Sequence, residues 1–270
     1  MKRALFLFLT LSLISYSDSK EHQSLMATLF AQSSAEAYAN SQTIYKSAQD
    51  NLDELIADKN HTAALEQTGK YQNKPPAIIL DVDQTVLDNI AYQARLIRNG
   101  SSYPDGWIEW AKEEQAEFMP GAKEFMEYAL SKGVEVFFVT NRVLEIEQAT
   151  INNFSKLGFK LSSKLDLILS KGENGWGSNK TSRRELIAKD YRILMMFGDN
   201  FGDFVDIEEN LLPPKDRVNI AKKYKDYWGT SWYMFANPTY GAWEGALINF
   251  DYSLPKNQQL KLKDSALDTK

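Results

Sequence analysis

The spacing of hydrophobic residues changes several times along the chain, and the changes mark strands that alternate with helices. Short apolar runs are typical of buried strands. Five such runs stand at residues 77–80, 134–139, 165–169, 192–197 and 232–235. Helical segments are predicted between Gly121 and Gly133 and at residues 145–157 and 181–188. Strands alternating with helices favour a parallel α/β sheet with right-handed crossovers, so we expect a Rossmann-like core flanked by helices.

The N-terminal quarter of the chain has a helical pattern of its own. Within residues 22–57, Tyr38, Tyr45 and Leu52 recur at every seventh position, which favours a helix that packs on the main domain. Residues 58–74 are polar and are predicted to form a linker.

Residues 86–118 interrupt the alternation with an aromatic-rich, partly helical insertion. We expect this insertion and residues 22–57 to form a smaller, mainly helical part beside the core. Residues 20–270 would then form one domain.

Polar side chains follow four of the predicted strands, or lie in the loop nearby. They are Asp81, Asp83 and Thr85 after the first strand, Thr140, Asn141 and Arg142 after the second, Lys180 beyond the third, and Asp199 and Asp203 after the fourth. Ligand sites in open α/β sheets lie at the carboxyl ends of strands. Four carboxylates brought together repel one another unless a cation compensates them, and Mg²⁺ prefers oxygen ligands. Lysine and hydroxyl groups can hold phosphate oxygens.

The composition excludes several other kinds of catalytic and metal site. The 270 residues include no cysteine, which excludes disulfides, thiolate catalysis and cysteine-bound zinc. The two histidines, His22 and His61, stand away from the motifs, and we expect both to be solvated surface residues. The net charge of −5 gives no sign of a nucleic-acid polymer as partner.

The N-terminus is typical of a signal peptide. Lys2 and Arg3 precede an apolar stretch at residues 4–14, and small residues follow. The alternative is a membrane anchor, but the stretch is well short of the ~20 residues that span a bilayer. We therefore expect residues 1–19 to be removed and the protein to be periplasmic or secreted, with no cysteine for lipid attachment.

The motifs, taken in order, resemble those of haloacid dehalogenase-type phosphatases. The matching residues are Asp81-Val-Asp83-Gln-Thr85, Thr140, Lys180 and Gly198-Asp199-Asn200-x-x-Asp203-Phe204. The longer segments 81–89, 139–142, 198–204 and 237–245 resemble the class C acid phosphatases, in particular the bacterial lipoprotein e (P4) type. The resemblance covers about residues 30–250.

The resemblance implies a role for each carboxylate. Asp81 would be the nucleophile that forms an aspartyl-phosphate. Asp83 would protonate the leaving oxygen and then activate water. Mg²⁺ would be held by Asp81, by the backbone carbonyl of Asp83, by Asp199 and, through a bound water, by Asp203.

The resemblance also implies how a substrate is held. Thr140 and Lys180 would bind the phosphoryl oxygens, and Asn141 would help to position them. Trp107 and Tyr240 would stack on the ring of a nucleotide or aryl phosphate, or else would simply pack in the protein.

We therefore expect a secreted, magnesium-dependent acid phosphomonoesterase that acts on 5′-nucleotides and other small monophosphates. One alternative is a phosphotransferase in which an alcohol replaces water in the second step. Another is a storage protein, or a surface protein that binds nucleotides or other ligands, without turnover. The resemblance suggests a homodimer.

Overall fold

The computed structural model describes residues 23–270, so the predicted signal peptide at residues 1–19 and His22 lie outside the described residues. The strands are β1 (Pro76–Leu80), β2 (Leu87–Asp88), β3 (Glu117–Phe118), β4 (Glu135–Val143), β5 (Ile168–Lys171), β6 (Arg192–Gly198) and β7 (Trp232–Met234). The helices are α1 (Leu25–Ser33), α2 (Ala35–Ala57), α3 (Ile90–Asn99), α4 (Trp107–Lys112), α5 (Ala122–Ser131), α6 (Glu147–Lys156), α7 (Thr181–Asp190), α8 (Ile207–Asn210), α9 (Pro214–Lys223), α10 (Ala242–Leu247) and α11 (Lys256–Ser265).

Five parallel strands form the central sheet in the order β5-β4-β1-β6-β7. The predicted α/β fold class is therefore confirmed. The strand order reverses direction beside β1, and crevices for ligands form at such reversals. Alternate residues of β1 enter different cores: Ile78 and Leu80 pack on one face of the sheet, and Ala77 and Ile79 pack on the other. Side chains pack on both faces of the sheet, so a ligand site can form at the carboxyl ends of the strands.

Two strands differ from their predicted limits. β4 continues to Val143 because it pairs again with β5 beyond an irregularity, and this places Thr140, Asn141 and Arg142 inside the strand. β5 begins at Ile168 rather than at residue 165, where Leu165 is exposed to solvent.

The predicted N-terminal helix is broken into two at Ser34. The extended backbone of Ser34 ends α1, and its side chain accepts a hydrogen bond from the Ala37 N–H and so begins α2. Tyr45 and Leu52 are buried in the core, which confirms that this helix packs on the main domain. Tyr38 was expected on the same face but is 59% exposed, so the packed face begins only farther along α2.

The segment at residues 58–74, predicted to be a linker, packs on the core around Ala63 and Ala64, while residues 58–60 and 68–70 are exposed. Ala63 and Ala64 are buried, and the Ala63 carbonyl accepts a hydrogen bond from the Trp232 indole at 2.8 Å. His61, expected at the surface, is partly buried, and its Nε2 lies 2.9 Å from the Leu194 carbonyl oxygen. These two expectations were wrong because polar residues can pack on a core when their polar atoms find partners.

The insertion at residues 86–118 contains the antiparallel pair β2–β3 and the helices α3 and α4. Its aromatic residues pack together: the Trp107 ring lies 5.0 Å from that of Tyr92 and 5.4 Å from that of Trp110. The division into a core and a smaller helical part stays a prediction. Within residues 23–270, none of the helices is long and apolar enough to span a membrane.

Candidate active site

The candidate site lies at the carboxyl end of the central strand. Asp81 follows β1 directly, and its backbone N–H donates to the Phe197 carbonyl of β6 at 2.9 Å. Because β4 and β6 flank β1, Thr140 in β4 and Asp199 after β6 border Asp81 on two sides. Lys180 immediately precedes α7, so the start of that helix delivers its side chain.

Three carboxylates and one lysine form the centre of the site. Asp81, Asp199 and Asp203 each offer an oxygen, and these oxygens all lie within 4.8 Å of one another. The Lys180 Nζ lies 2.5 Å from Asp81 Oδ1 and 2.6 Å from Asp203 Oδ1. Asp81, Asp203 and Lys180 are all buried, so their charges interact with little screening by solvent.

One ammonium group does not balance this cluster. Burial raises the pKa of Asp81 to about 7 against the opposing effect of Lys180, and the charges of Asp203 and Asp83 add to the rise. Burial, together with Asp81 and Asp203, also raises the pKa of Asp199 well above its usual range. Burial acts against the charged form of Lys180, but Asp203 and Asp81 outweigh it and raise the pKa of the amine. The net negative charge and the all-oxygen donor set fit a hard divalent cation such as Mg²⁺.

Hydrogen bonds fix the two acidic residues beyond β6. The Asn237 side chain donates to Asp199 Oδ2 at 2.7 Å. The Asn200 backbone N–H donates to Asp203 Oδ2 at 2.9 Å, within a reciprocal capping box. Gly198 leaves room for this arrangement, because a Cβ atom there would overlap the Asp203 side chain.

Asp83 stands apart from the three clustered carboxylates and is paired with a cation of its own. Arg142 donates to both of its carboxylate oxygens, and the shortest contact joins Nη2 to Oδ1 at 2.8 Å. Gln84 adopts a left-handed backbone, with φ of 55°, and its side-chain oxygen accepts the Asn89 backbone N–H at 2.6 Å. Asp83 pairs with Arg142 and Asp81 with Lys180, so the two aspartates have different electrostatic surroundings.

The residues predicted to bind phosphate have different environments. Thr140 is fully buried, and its Oγ1 accepts the Arg142 backbone N–H at 3.1 Å. Asn141 is exposed, and its side chain accepts from Arg183 at 2.8 Å and donates to the Ser178 carbonyl at 3.1 Å. Lys180 lies between the carboxylates. Binding of phosphate by Thr140, Asn141 and Lys180 stays a prediction.

The two aromatic residues predicted to stack on substrate both have protein partners. Trp107 is 8% exposed and stacks on Trp110, and the Arg142 guanidinium lies 5.5 Å from its ring centre. The Tyr240 hydroxyl lies 3.1 Å from the Asn89 side-chain nitrogen. Burial raises the pKa of Tyr240 well above its usual range, with Asp199 and Asp83 adding to the effect. Stacking on substrate by Trp107 and Tyr240 stays a prediction.

Three residues of the site had no role in the sequence analysis. They are Asn89, Arg142 and Asn237, which bond Asp83 or Asp199. All three stand inside the longer segments that resemble the class C acid phosphatases. That resemblance was the sequence signal that could have found them. Their partners could not be read from it: Arg142 and Asn237 bond residues far away in the chain, and Asn89, six residues after Asp83, meets it only through the turn at Gln84.

Comparisons with known proteins agree on one family. Residues 13–243 match the family described as haloacid dehalogenase (HAD) superfamily, subfamily IIIB (acid phosphatase). Two solved structures of the class C acid phosphatase from Bacillus anthracis, one with tungstate bound, cover 92% of this chain and 98% of their own. The structure with tungstate is 32% identical with a TM-score of 0.81, and the other is 33% identical with a TM-score of 0.79.

Plant proteins are similar over a shorter stretch. Vegetative storage protein 1 of Arabidopsis thaliana is 28% identical over 139 residues, which are 47% of this chain and 48% of that protein. The chain spans about half the length of the curated relatives it matches. Since the family match covers most of the chain and includes every motif up to Tyr240, the protein belongs to subfamily IIIB of the HAD superfamily, the acid phosphatase family.

Proposed function

We propose that this protein is a magnesium-dependent acid phosphomonoesterase that works through an aspartyl-phosphate on Asp81. The observation that carries the proposal is the contrast between two aspartates. Asp81 contacts Lys180 within a carboxylate cluster, whereas Asp83 is held separately by Arg142. This contrast supports different roles for the two: Asp81 would attack phosphorus and Asp83 would move a proton.

In the first step, an Asp81 carboxylate oxygen attacks phosphorus and the bond from phosphorus to the leaving oxygen breaks. Asp83 gives its proton to that oxygen, so an alcohol or phenol departs. In the second step, Asp83 takes a proton from water as the water oxygen attacks phosphorus. The bond between phosphorus and Asp81 then breaks, which releases inorganic phosphate and restores the enzyme.

The charge distribution supports a divalent cation in this mechanism. Asp81, Asp199 and the Asp83 carbonyl would hold Mg²⁺, with Asp203 acting through a bound water. Bound Mg²⁺ would neutralise charge on the phosphoryl group and on the attacking carboxylate. Lys180 would move from Asp203 toward a phosphoryl oxygen when substrate enters.

The substrates we propose are 5′-nucleotides and small aryl phosphates. Thr140, Asn141 and Lys180 would bind the phosphoryl group. The tungstate in the B. anthracis structure is a tetrahedral oxyanion like phosphate, which supports an oxyanion site in the family. Trp107 and Tyr240 would contact the leaving group, since stacking accepts any flat ring and permits broad specificity.

The decisive experiment is hydrolysis of p-nitrophenyl phosphate and AMP between acid and neutral pH, with and without EDTA. We expect Asp81→Asn to abolish phosphate release and EDTA to remove activity that Mg²⁺ restores. Asp53→Asn is the matched control, because Asp53 is an exposed carboxylate paired with Lys132 on the surface. If Asp81→Asn retained the wild-type rate, the mechanism proposed for Asp81 would be wrong.

Storage without turnover is a second candidate, because the chain is similar to a vegetative storage protein. Absence of phosphate release under every condition, with AMP still bound, would favour it. The phosphotransferase alternative is tested by adding glycerol: formation of glycerol phosphate in excess of inorganic phosphate would support it.

We also propose that residues 1–19 direct export to the periplasm or medium, and that the mature protein is a homodimer. N-terminal sequencing of exported protein tests the first proposal, and sedimentation equilibrium tests the second. An uncleaved exported chain or a monomer at every concentration would contradict them.

A further inference from the structure

Arg142 makes the strongest contacts to Asp83, and the proposed function gives it no role. Its side chain is 1% exposed, against 18% for Asp83. Its Nη2 lies 2.8 Å from Asp83 Oδ1, and its Nε lies 3.1 Å from Oδ1 and 3.2 Å from Oδ2. A buried guanidinium in this planar geometry fixes the rotation of the carboxylate as well as its place.

The two oxygens of Asp83 are not equivalent. Oδ1 receives both of the closest Arg142 contacts and also lies 3.4 Å from the Asn89 side-chain nitrogen. Within residues 23–270, the only hydrogen-bond donor to Oδ2 is the Arg142 Nε. A carboxylate oxygen has two lone pairs, so Oδ1 is fully occupied and Oδ2 keeps a position for a proton.

Arg142 is itself held by groups outside the carboxylate cluster. Its Nη1 donates to Thr150 Oγ1 at 3.0 Å, and the Thr150 hydroxyl donates in turn to the Ile146 carbonyl at 2.9 Å. The guanidinium also lies 5.5 Å from the centre of the Trp107 ring, within the range of a cation–π contact. The orientation of Asp83 is therefore set by β4, α6 and the aromatic insertion together.

We propose that Arg142 is a positioning residue that keeps Asp83 Oδ1 occupied, so that Oδ2 carries the proton given to the leaving oxygen. The proposal rests on the proposed phosphatase function. It assigns Arg142 to the proton-transfer step rather than to binding of the phosphoryl group. Lysine at this position would keep the charge but could not contact both carboxylate oxygens through a planar fork.

The test compares leaving groups on one enzyme preparation. An alkyl phosphate such as AMP needs its leaving oxygen protonated, whereas p-nitrophenolate can depart without a proton. General acid catalysis contributes about 10²- to 10⁴-fold. We expect Arg142→Lys and Arg142→Gln to lower kcat/KM for AMP by roughly 10- to 100-fold, and for p-nitrophenyl phosphate by less than about threefold. The ratio of the two values does not depend on the fraction of folded protein.

Two comparisons separate positioning from a structural effect. Arg192→Lys alters another fully buried arginine, which bonds carbonyls at the end of α2, and should leave the ratio unchanged. In an Asp83→Asn background, adding Arg142→Lys should shift the ratio no further, because the two residues act in one step.

Each outcome decides the proposal. An unchanged ratio in both Arg142 variants, or a further shift in the double variant, would overturn it. If neither variant folds, Thr150→Val leaves Arg142 in place but removes its Nη1 acceptor, together with the hydroxyl bond to Ile146, and must shift the ratio in the same direction. An unchanged ratio there also overturns the proposal. Wild-type protein that hydrolyses neither ester would instead count against the proposed function.

Discussion

At the scale of single residues, the site depends on the room that Gly198 leaves for Asp203 as well as on charged groups. A Cβ atom at position 198 would overlap the Asp203 side chain, so Gly198→Ala should push Asp203 away from Lys180 and the Asn200 N–H. We expect kcat to fall by roughly 10- to 100-fold, as small displacements of catalytic groups do, and stability to fall by about 1–3 kcal/mol through overpacking.

Steady-state kinetics and urea unfolding measure these two effects of Gly198→Ala. Gly69→Ala is the matched control, because an added Cβ there meets nothing within 4 Å, and both measurements should stay near wild type. A Gly198→Ala enzyme with full kcat would mean that the position of Asp203 does not matter to turnover.

The sequence could place the carboxylates but not their partners. Asp81, Asp199 and Lys180 follow strands or begin a helix, and the geometry of parallel sheets brings such positions to one edge. Arg142 could not be assigned in this way. The prediction ended its strand at residue 139, and its contact with Asp83 depends on the extra length of β4.

At the scale of elements, α2 supports the loop that carries Asp81 and Asp83. The buried Tyr45 hydroxyl donates to the Thr85 carbonyl at 2.7 Å, and its ring lies 5.1 Å from that of Phe235. We expect Tyr45→Phe to lower the free energy of unfolding by about 1–2 kcal/mol through the lost hydrogen bond. Tyr45→Ala should cost about 3–5 kcal/mol because it also leaves a cavity.

Tyr38 provides the matched control on the same helix. It is 59% exposed, so Tyr38→Ala should change the free energy of unfolding by no more than about 0.5 kcal/mol. Urea midpoints for the three variants test the contrast. Equal losses for Tyr38→Ala and Tyr45→Ala would contradict the packing described for α2.

The sequence pattern predicted this helix but not its break or its true packed face. The sevenfold spacing assigns Tyr38 and Tyr45 to one face, yet only Tyr45 is buried in the core, whereas Tyr38 is exposed to solvent. The break at Ser34 depends on a single side-chain cap. Periodicity cannot distinguish a cap from a polar residue within a helix.

At the scale of the whole molecule, the proposed activity in acid would require a fold that stays stable at low pH, and we expect His61 to lower the stability there. The ring joins the segment after α2 to the Leu194 carbonyl of β6, with Asp58 and Arg192 as its charged neighbours. Burial lowers the pKa of His61 below its usual value, Arg192 adds to the effect, and the Leu194 bond and Asp58 oppose it. The folded protein therefore holds the ring neutral at a pH where the unfolded chain already binds a proton.

The sign of the pH effect follows from this difference in proton binding. As pH falls through about 6.5, the ordinary pKa of histidine, the unfolded state takes up the proton first and the free energy of unfolding falls. The fall ends once pH passes below the lowered folded-state pKa. Above about pH 7 both states are neutral, and His61 makes no contribution to the pH dependence.

His61→Gln tests this effect, because glutamine can donate to the Leu194 carbonyl without titrating. We expect the loss of unfolding free energy between pH 7.5 and 5, measured by urea denaturation, to be smaller in His61→Gln than in wild type. Carboxylate titration is common to both proteins and cancels in the comparison. Equal losses in the two proteins would show that the partly buried ring accepts a proton in the folded state as readily as in the unfolded chain. That result would contradict the lowered pKa of His61 in the folded protein, and the acid sensitivity of the fold would then come from other groups.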